Sequence, residues 1–86
     1  MMNAVVTKDG NGTLKIWGIN DNIEYVNNTW VNKDTSNTGE SFNNDEQELV
    51  NIVGPEYMFP YLSVMKEDYN YLENGSKVEI EINLYD

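Results

Sequence analysis

Carboxylates are the residues of this chain that could do chemistry, because it has 15 aspartates and glutamates but no histidine and no cysteine. Without imidazoles or thiols, Ser-His-Asp catalysis, Cys-His catalysis and tetrahedral zinc sites are excluded. Paired carboxylates can act as general acid and base only where burial or a close like charge raises the pKa of one of them. The clear same-face pair, Glu79 and Glu81, falls on a predicted solvent face. The sequence therefore indicates that the protein is not an enzyme.

Oxygen-bearing side chains also stand at the spacing of a calcium loop between residues 34 and 45. The segment resembles the EF-hand loop, with Gly39 at the sixth position and a carboxylate at the twelfth. The resemblance implies Ca²⁺ ligands at Asp34, Ser36, Thr38, Glu40 and Asp45. Three features depart from the pattern: a strand-like segment precedes the loop, Ser41 replaces an apolar anchor, and Asp45 replaces the bidentate glutamate. An ordinary polar loop is the alternative, and no metal or cofactor is expected.

The strongest signal is the net charge of -10, because 15 acidic residues stand against only five basic ones. All five basic residues are lysines. Such an acidic excess argues against direct binding of nucleic acid or of an anionic membrane, which requires clustered positive charge. A folded domain that fixes many carboxylates repels itself, so the charge serves either solubility or attraction to a basic partner. Most strongly basic surfaces in a cell bind nucleic acid. The predicted partner is therefore a basic nucleic-acid-binding protein.

The predicted partner surface combines carboxylates that lie in or beside predicted elements with two tyrosines on predicted outer faces, a residue type favoured at interfaces. Its members are Glu24, Asp45, Glu46, Glu48, Glu67, Asp68, Tyr71, Glu73, Glu79, Glu81 and Tyr85. On a strand, Glu79 and Glu81 would stand two residues apart, roughly 6.6–6.8 Å along the chain direction. A strand can thus present a row of negative charges, as a phosphate backbone does.

These residues must be positioned by one small domain spanning residues 1–86, for which we predict an α+β fold. Leu, Ile, Val and Phe make up 21 of the 86 residues, above the roughly 20% floor typical of disordered chains. Residues 4–7 and 13–19 read as a hairpin around an Asp-Gly-Asn-Gly turn, and residues 23–31 as a third strand. From residue 78 to 84 apolar and polar residues alternate, which predicts a half-buried fourth strand. Trp17 and Trp30 are expected in the core.

One or two helices are predicted to pack on this sheet. Residues 45–53 suit a short helix that an asparagine caps and that Gly54-Pro55 ends. Between residues 57 and 73, Leu62, Met65, Tyr69 and Leu72 follow a helical spacing. The alternative is a hairpin in which residues 69–72 pair with the chain beyond Asn74-Gly75. Residues 33–44 between the two halves read as a polar loop.

In its length, its strong negative charge, its lack of cysteine and its Asn-rich, Lys-only composition, the chain resembles the small acidic inhibitors of phages and mobile elements. These include anti-CRISPR proteins and the DNA-mimic inhibitors of uracil-DNA glycosylase. The resemblance implies a stoichiometric inhibitor that occupies a nucleic-acid groove, with a CRISPR effector as the favoured target. The alternatives are an immunity-type protein that neutralises a nuclease toxin or a DNA-repair enzyme, and a calcium-binding module.

No run of apolar residues is long enough to form a membrane helix, and residues 1–20 lack the basic and apolar regions of a signal peptide. The expected setting is therefore intracellular, and the resemblance to phage inhibitors implies the cytoplasm of a bacterial host cell. The sequence does not indicate an oligomeric state.

Overall fold

Antiparallel β-structure dominates the fold, and a computed structural model describes residues 2–36, 38–42, 48–53 and 58–82. The described residues form β1 (Met2–Lys8), β2 (Leu14–Gly18), β3 (Ile23–Val26), β4 (Thr29–Asn32), β5 (Glu40–Ser41), β6 (Glu48–Val53), β7 (Met58–Val64) and β8 (Lys77–Ile82). A single 3-10 turn spans Lys66–Tyr69. The strands make one four-stranded sheet in the order β5-β2-β1-β8 and two hairpins, β3–β4 and β6–β7.

The β1–β2 hairpin forms as the alternating residues and the glycine-rich turn predict. Its register pairs Val5 with Trp17 and Val6 with Ile16. Gly12 closes the turn at a φ of 90°, a conformation that costs glycine little. On its other side β1 pairs with β8, which confirms the predicted C-terminal strand over residues 78–82, while residues 83 and 84 lie outside the described residues. β1 is thus an interior strand of the sheet.

Side chains cover both faces of this sheet. One face carries the hydrophobic core, built from Ala4, Val6, Leu14, Ile16, Phe42 and Val64. On the opposite face Trp17 is 2% exposed and its indole N–H donates to the Thr7 hydroxyl at 3.0 Å. Trp30 of the β3–β4 hairpin is also buried. The prediction that both tryptophans are buried is confirmed, although neither belongs to the hydrophobic cluster on the other face.

Residues 23–31, predicted as one strand, are two strands joined by a tight turn. Asn27 and Asn28 interrupt the strand with φ angles of 52° and 66°. Asparagine tolerates this left-handed conformation better than other side chains, and two such residues in succession suit the turn of a two-residue hairpin. The chain therefore reverses at Asn27-Asn28, and Tyr25 pairs with Trp30.

The prediction of an α+β fold is wrong, because the described residues contain no α-helix. Residues 48–53, predicted as helix, form β6, and residues 58–64 form the partner strand β7. The β-branched content of β6 suits a strand once a partner strand is available. The register of this hairpin shifts between Val50 and Ile52, where β7 carries Pro60. Proline, which lacks an N–H group, is tolerated at such irregularities.

The helical spacing of Tyr69 and Leu72 reflects burial at a 3-10 turn. The Leu72 N–H donates to the Tyr69 carbonyl at 3.2 Å, and both side chains pack against the core. Tyr69 meets Phe42 edge-on, with ring centroids 5.8 Å apart. Residues 69–72 therefore form neither the predicted helix nor the strand of the alternative hairpin.

Candidate partner-binding surface and pocket

Most carboxylates point to solvent. The structure describes the side chains of ten of them, and eight of these are exposed: Glu24, Asp34, Glu40, Glu67, Asp68, Glu73, Glu79 and Glu81. Glu24 has a partner, the Lys33 ammonium at 3.9 Å, in an ion pair whose side chains are both about half exposed. The remaining seven make no ion pair with another described residue.

The lysines, in contrast, are largely engaged with the protein itself. Lys8 donates to the carbonyls of residues 70 and 72 at 3.3 and 3.0 Å. Lys15 is buried against Asp9 at 3.1 Å. The Lys77 ammonium lies 5.8 Å from the centre of the Trp30 ring, within the range of a cation–π contact. With Lys33 paired to Glu24, four of the five positive charges are drawn toward protein groups, so the exposed charge is predominantly negative.

Two of the predicted residues, Glu79 and Glu81, share one surface on β8, an edge strand of the four-stranded sheet. Both are exposed, while the alternate residues Val78 and Ile80 pack toward the core. This confirms the predicted solvent face. Lys77, Glu79 and Glu81 lie on the face of the sheet opposite the core. We call the Glu79–Glu81 pair the β8 acidic face.

A second acidic group lies around the 3-10 turn and contains Glu67, Asp68 and Glu73, with Tyr71 beside them at 70% exposure. Tyr69 of the same turn packs against the core, and burial raises the pKa of its phenol, with the charge of Asp68 adding to the shift. This turn covers the core face of the sheet, whereas the β8 acidic face lies on the opposite side. The structure therefore divides the predicted partner surface into at least two groups.

Four predicted residues are not described at the level of side chains. Asp45, Glu46 and Tyr85 lie outside the described residues, and only the backbone of Glu48, the first residue of β6, is described.

The proposed calcium ligands lie in two different local structures. Ser36 follows a turn in which the Asn32 side-chain oxygen accepts the N–H groups of Asp34 and Thr35 at 2.8 and 3.2 Å. Thr38 is exposed, and Glu40 belongs to β5, where it pairs with Ile16 of β2. Asp45 lies outside the described residues. Across residues 2–36, 38–42, 48–53 and 58–82 no three aspartate or glutamate side chains lie close enough together to hold a metal ion.

A pocket of about 300 Å³ lies beside the β8 acidic face, and sequence reasoning did not find it. Strands β1, β3 and β8 and the connection from β2 to β3 line it with Val5, Ile19, Asp21, Ile23, Lys77 and Glu79. These residues lie far apart in sequence, and only the sheet pairing of Val5 with Glu79 and the fold of the connection bring them together. No local pattern signals such a site.

Asp21 holds the β2–β3 connection and is the most unusual carboxylate of the pocket. Its N–H donates to the Gly18 carbonyl at 3.0 Å, and its Oδ2 accepts the Gly18 N–H at 2.9 Å. Its other oxygen, Oδ1, is buried without a hydrogen-bond partner among the described residues. Burial raises the pKa of Asp21, and the hydrogen bond from Gly18 only partly opposes this shift.

The β3–β4 hairpin, which carries Ile23 of the pocket, is fixed to the sheet by a buried ion pair. Asp9 Oδ1 accepts the backbone N–H of Trp30 at 3.0 Å, and the Lys15 ammonium donates to the Trp30 carbonyl at 3.1 Å. A backbone bond from the Gly10 N–H to the Asn28 carbonyl, 2.8 Å long, adds a third attachment. These bonds attach the hairpin that carries Ile23 to the sheet that carries Val5 and Glu79.

Comparison of the chain with protein-family models, with curated proteins and with solved structures finds no match. The described part of the chain includes no helix that is long and apolar enough to cross a bilayer.

Proposed function

We propose that this chain is a non-enzymatic inhibitor that binds a basic nucleic-acid-binding protein, with its carboxylates in the places that nucleic-acid phosphates would take. The small acidic inhibitors that it resembles imply a CRISPR effector as the target and the bacterial cytoplasm as the setting. The proposal does not include direct contact with nucleic acid or membrane, which an acidic surface repels.

The observation that carries the proposal is a difference between the positive and the negative side chains: most lysines contact other protein groups, whereas most exposed carboxylates do not form ion pairs with described residues. Four of the five lysines lie against protein groups, whereas seven exposed carboxylates have no ion-pair partner among the described residues. A surface of one sign attracts partners of the opposite sign and speeds their association. The alternative, solubility alone, needs negative charge but does not need the lysines to be engaged by groups of the same protein.

The β8 acidic face is the part of this surface best suited to mimicry. Glu79 and Glu81 are fixed on a strand of a sheet, so the spacing of their Cα atoms does not depend on a flexible loop. Fixed charges lose less conformational entropy on binding than charges on mobile segments. Since β8 is an edge strand, a partner can approach this face without displacing another strand.

The test is competition with target DNA for purified CRISPR effectors loaded with guide RNA. A uracil-DNA glycosylase and a nuclease toxin belong in the same panel as the alternative targets. Inhibition of DNA binding by at least one effector is expected, and it should weaken strongly as salt rises from about 50 to about 200 mM. If no basic protein in the panel is inhibited, the charge serves solubility and the proposal fails.

Two matched double variants separate the β8 acidic face from net charge. Glu79→Gln with Glu81→Gln should weaken inhibition about tenfold through the loss of attraction at the contact. The control, Glu67→Gln with Asp68→Asn, removes the same charge from the 3-10 turn and should change inhibition far less. Equal losses in both would assign the effect to net charge, and no loss in either would remove carboxylates from the contact.

A further inference from the structure

We propose that the pocket beside the β8 acidic face receives an arginine side chain, supplied by the basic partner. The inference rests on the proposed function for the origin of that arginine. It deepens the proposal, because it assigns a specific anchor to an interaction that surface charge alone would leave unspecific.

The size and lining of the pocket fit one long side chain. Its volume of about 300 Å³ lies at the lower end of the range for ligand pockets. Val5, Ile19 and Ile23 supply aliphatic surface, against which the methylene groups of a long basic side chain can pack. Ile19 is 37% exposed, so part of this aliphatic surface is open to a partner.

The charged groups of the pocket favour a cation. Asp21 and Glu79 bring two carboxylates, against one ammonium from Lys77. Asp21 Oδ1 is a buried acceptor that finds no donor in the part of the chain that the structure describes, and native structures rarely leave such an atom unsatisfied. Because Oδ1 has almost no solvent-accessible surface, an N–H group in the pocket reaches it through a shift of the Asp21 side chain toward the pocket. The Lys77 ammonium is drawn toward Trp30, which leaves the carboxylates to meet the incoming charge.

Arginine suits this lining better than lysine. Its guanidinium has five donors and can bond more than one acceptor at once, whereas an ammonium acts as a compact point charge. The guanidinium is also more weakly hydrated, which lowers the cost of entering a pocket with three aliphatic residues.

The experiment is an NMR titration of the ¹⁵N-labelled protein with Nα-acetyl-arginine amide, and the neutral isostere Nα-acetyl-citrulline amide is the control probe. The arginine probe should shift the amide signals of Val5, residues 19–23 and residues 77–79, with a dissociation constant in the millimolar range. The citrulline probe should leave them unshifted. Equal shifts with both probes would overturn the inference, as would shifts spread over all exposed carboxylates.

Single variants then test the named groups. Asp21→Asn keeps an oxygen for the Gly18 N–H and places an NH₂ group at the unsatisfied position, so binding of the arginine probe should weaken about tenfold. Lys77→Gln should strengthen it severalfold by removing the opposing charge. If Asp21→Asn does not fold, Glu79→Gln against Glu81→Gln decides the question, because only Glu79 lines the pocket. Equal effects of those two variants, or an unchanged Asp21→Asn, would refute the assignment.

The titration with the arginine probe uses no effector, so it tests the pocket independently of the proposed function. A bound arginine probe with no inhibited effector would keep the pocket and discard the proposed target. Inhibition that Asp21→Asn leaves unchanged would keep the acidic surface and discard the pocket.

Discussion

Replacing Lys15 with methionine should weaken the attachment of the β3–β4 hairpin to the sheet. The Lys15 ammonium lies 3.1 Å from Asp9 Oδ2, and the two side chains are only 8% and 5% exposed. The same ammonium donates to the Trp30 carbonyl at 3.1 Å. Lys15→Met therefore leaves a buried carboxylate without its counter-charge and a buried carbonyl without its donor.

The expected loss in the free energy of unfolding is about 3–5 kcal/mol, the usual cost of breaking a buried pair by removing one partner. A domain of this length has roughly 4–13 kcal/mol in total, so the loss is a large fraction of it. The matched control is Lys33→Met, which breaks an exposed pair with Glu24 at 3.9 Å. Because water screens that pair, the control should lose at most about 0.5 kcal/mol.

Urea unfolding followed by tryptophan fluorescence measures both losses, since Trp17 and Trp30 are buried in the folded protein. A third variant, Asp9→Asn with Lys15→Met, removes both charges but keeps an oxygen that can accept the Trp30 N–H. It should recover at least half of the single-variant loss. A Lys15→Met loss no larger than the control would refute the role of the pair. If the double variant recovers none of the loss, the loss in the free energy of unfolding comes from altered side-chain packing and not from the unpaired charge.

Two further predictions concern Asp21 and Gly39. Burial raises the pKa of Asp21 above 3.8, so this carboxyl contributes stability at low pH that is lost as the pH rises through its folded pKa. In urea titrations, the free energy of unfolding of Asp21→Asn relative to that of the parent should therefore increase as the pH rises from about 3 to about 6. A difference between the two proteins that does not change with pH would contradict this. At Gly39, with φ at 81°, an added Cβ would lie 2.7 Å from the Trp17 ring, whereas Gly12 has open space at φ 90°. Gly12→Ala should cost about 1 kcal/mol for the backbone alone, and Gly39→Ala at least about 1 kcal/mol more. Equal melting temperatures would refute the steric argument.

The sequence predicted those elements whose pattern is local. Four consecutive residues are enough to predict the β1–β2 turn, and the alternation of apolar and acidic residues is enough to predict β8. The exposure of Glu79 and Glu81 followed from the same alternation, because strand residues of one parity share a face.

The predictions failed where the structure depends on partners distant in sequence. Residues 48–64 carry apolar residues that suit either a helix or a strand, and only the pairing of β6 with β7 decides between them. The break at Asn27-Asn28 did have a local signal, since two asparagines favour a left-handed turn. The pocket had none: Asp21 meets Lys77 and Glu79 only after the β2–β3 connection folds toward β8.

The pairing of β1 with β8 has a consequence for how the protein is made. It joins Met2 to Ile82 and Thr7 to Lys77, so the interior strand of the sheet receives one neighbour almost a full chain length later. Domains dominated by such long-range pairs fold slowly, because loop closure must precede the contacts that reward it. On the ribosome, the β1–β2 hairpin emerges long before β8, so the edge of β1 that pairs with β8 stays unpaired until β8 has been synthesised. Nascent chains that lack β8 therefore have neither the β8 acidic face nor the pocket beside it.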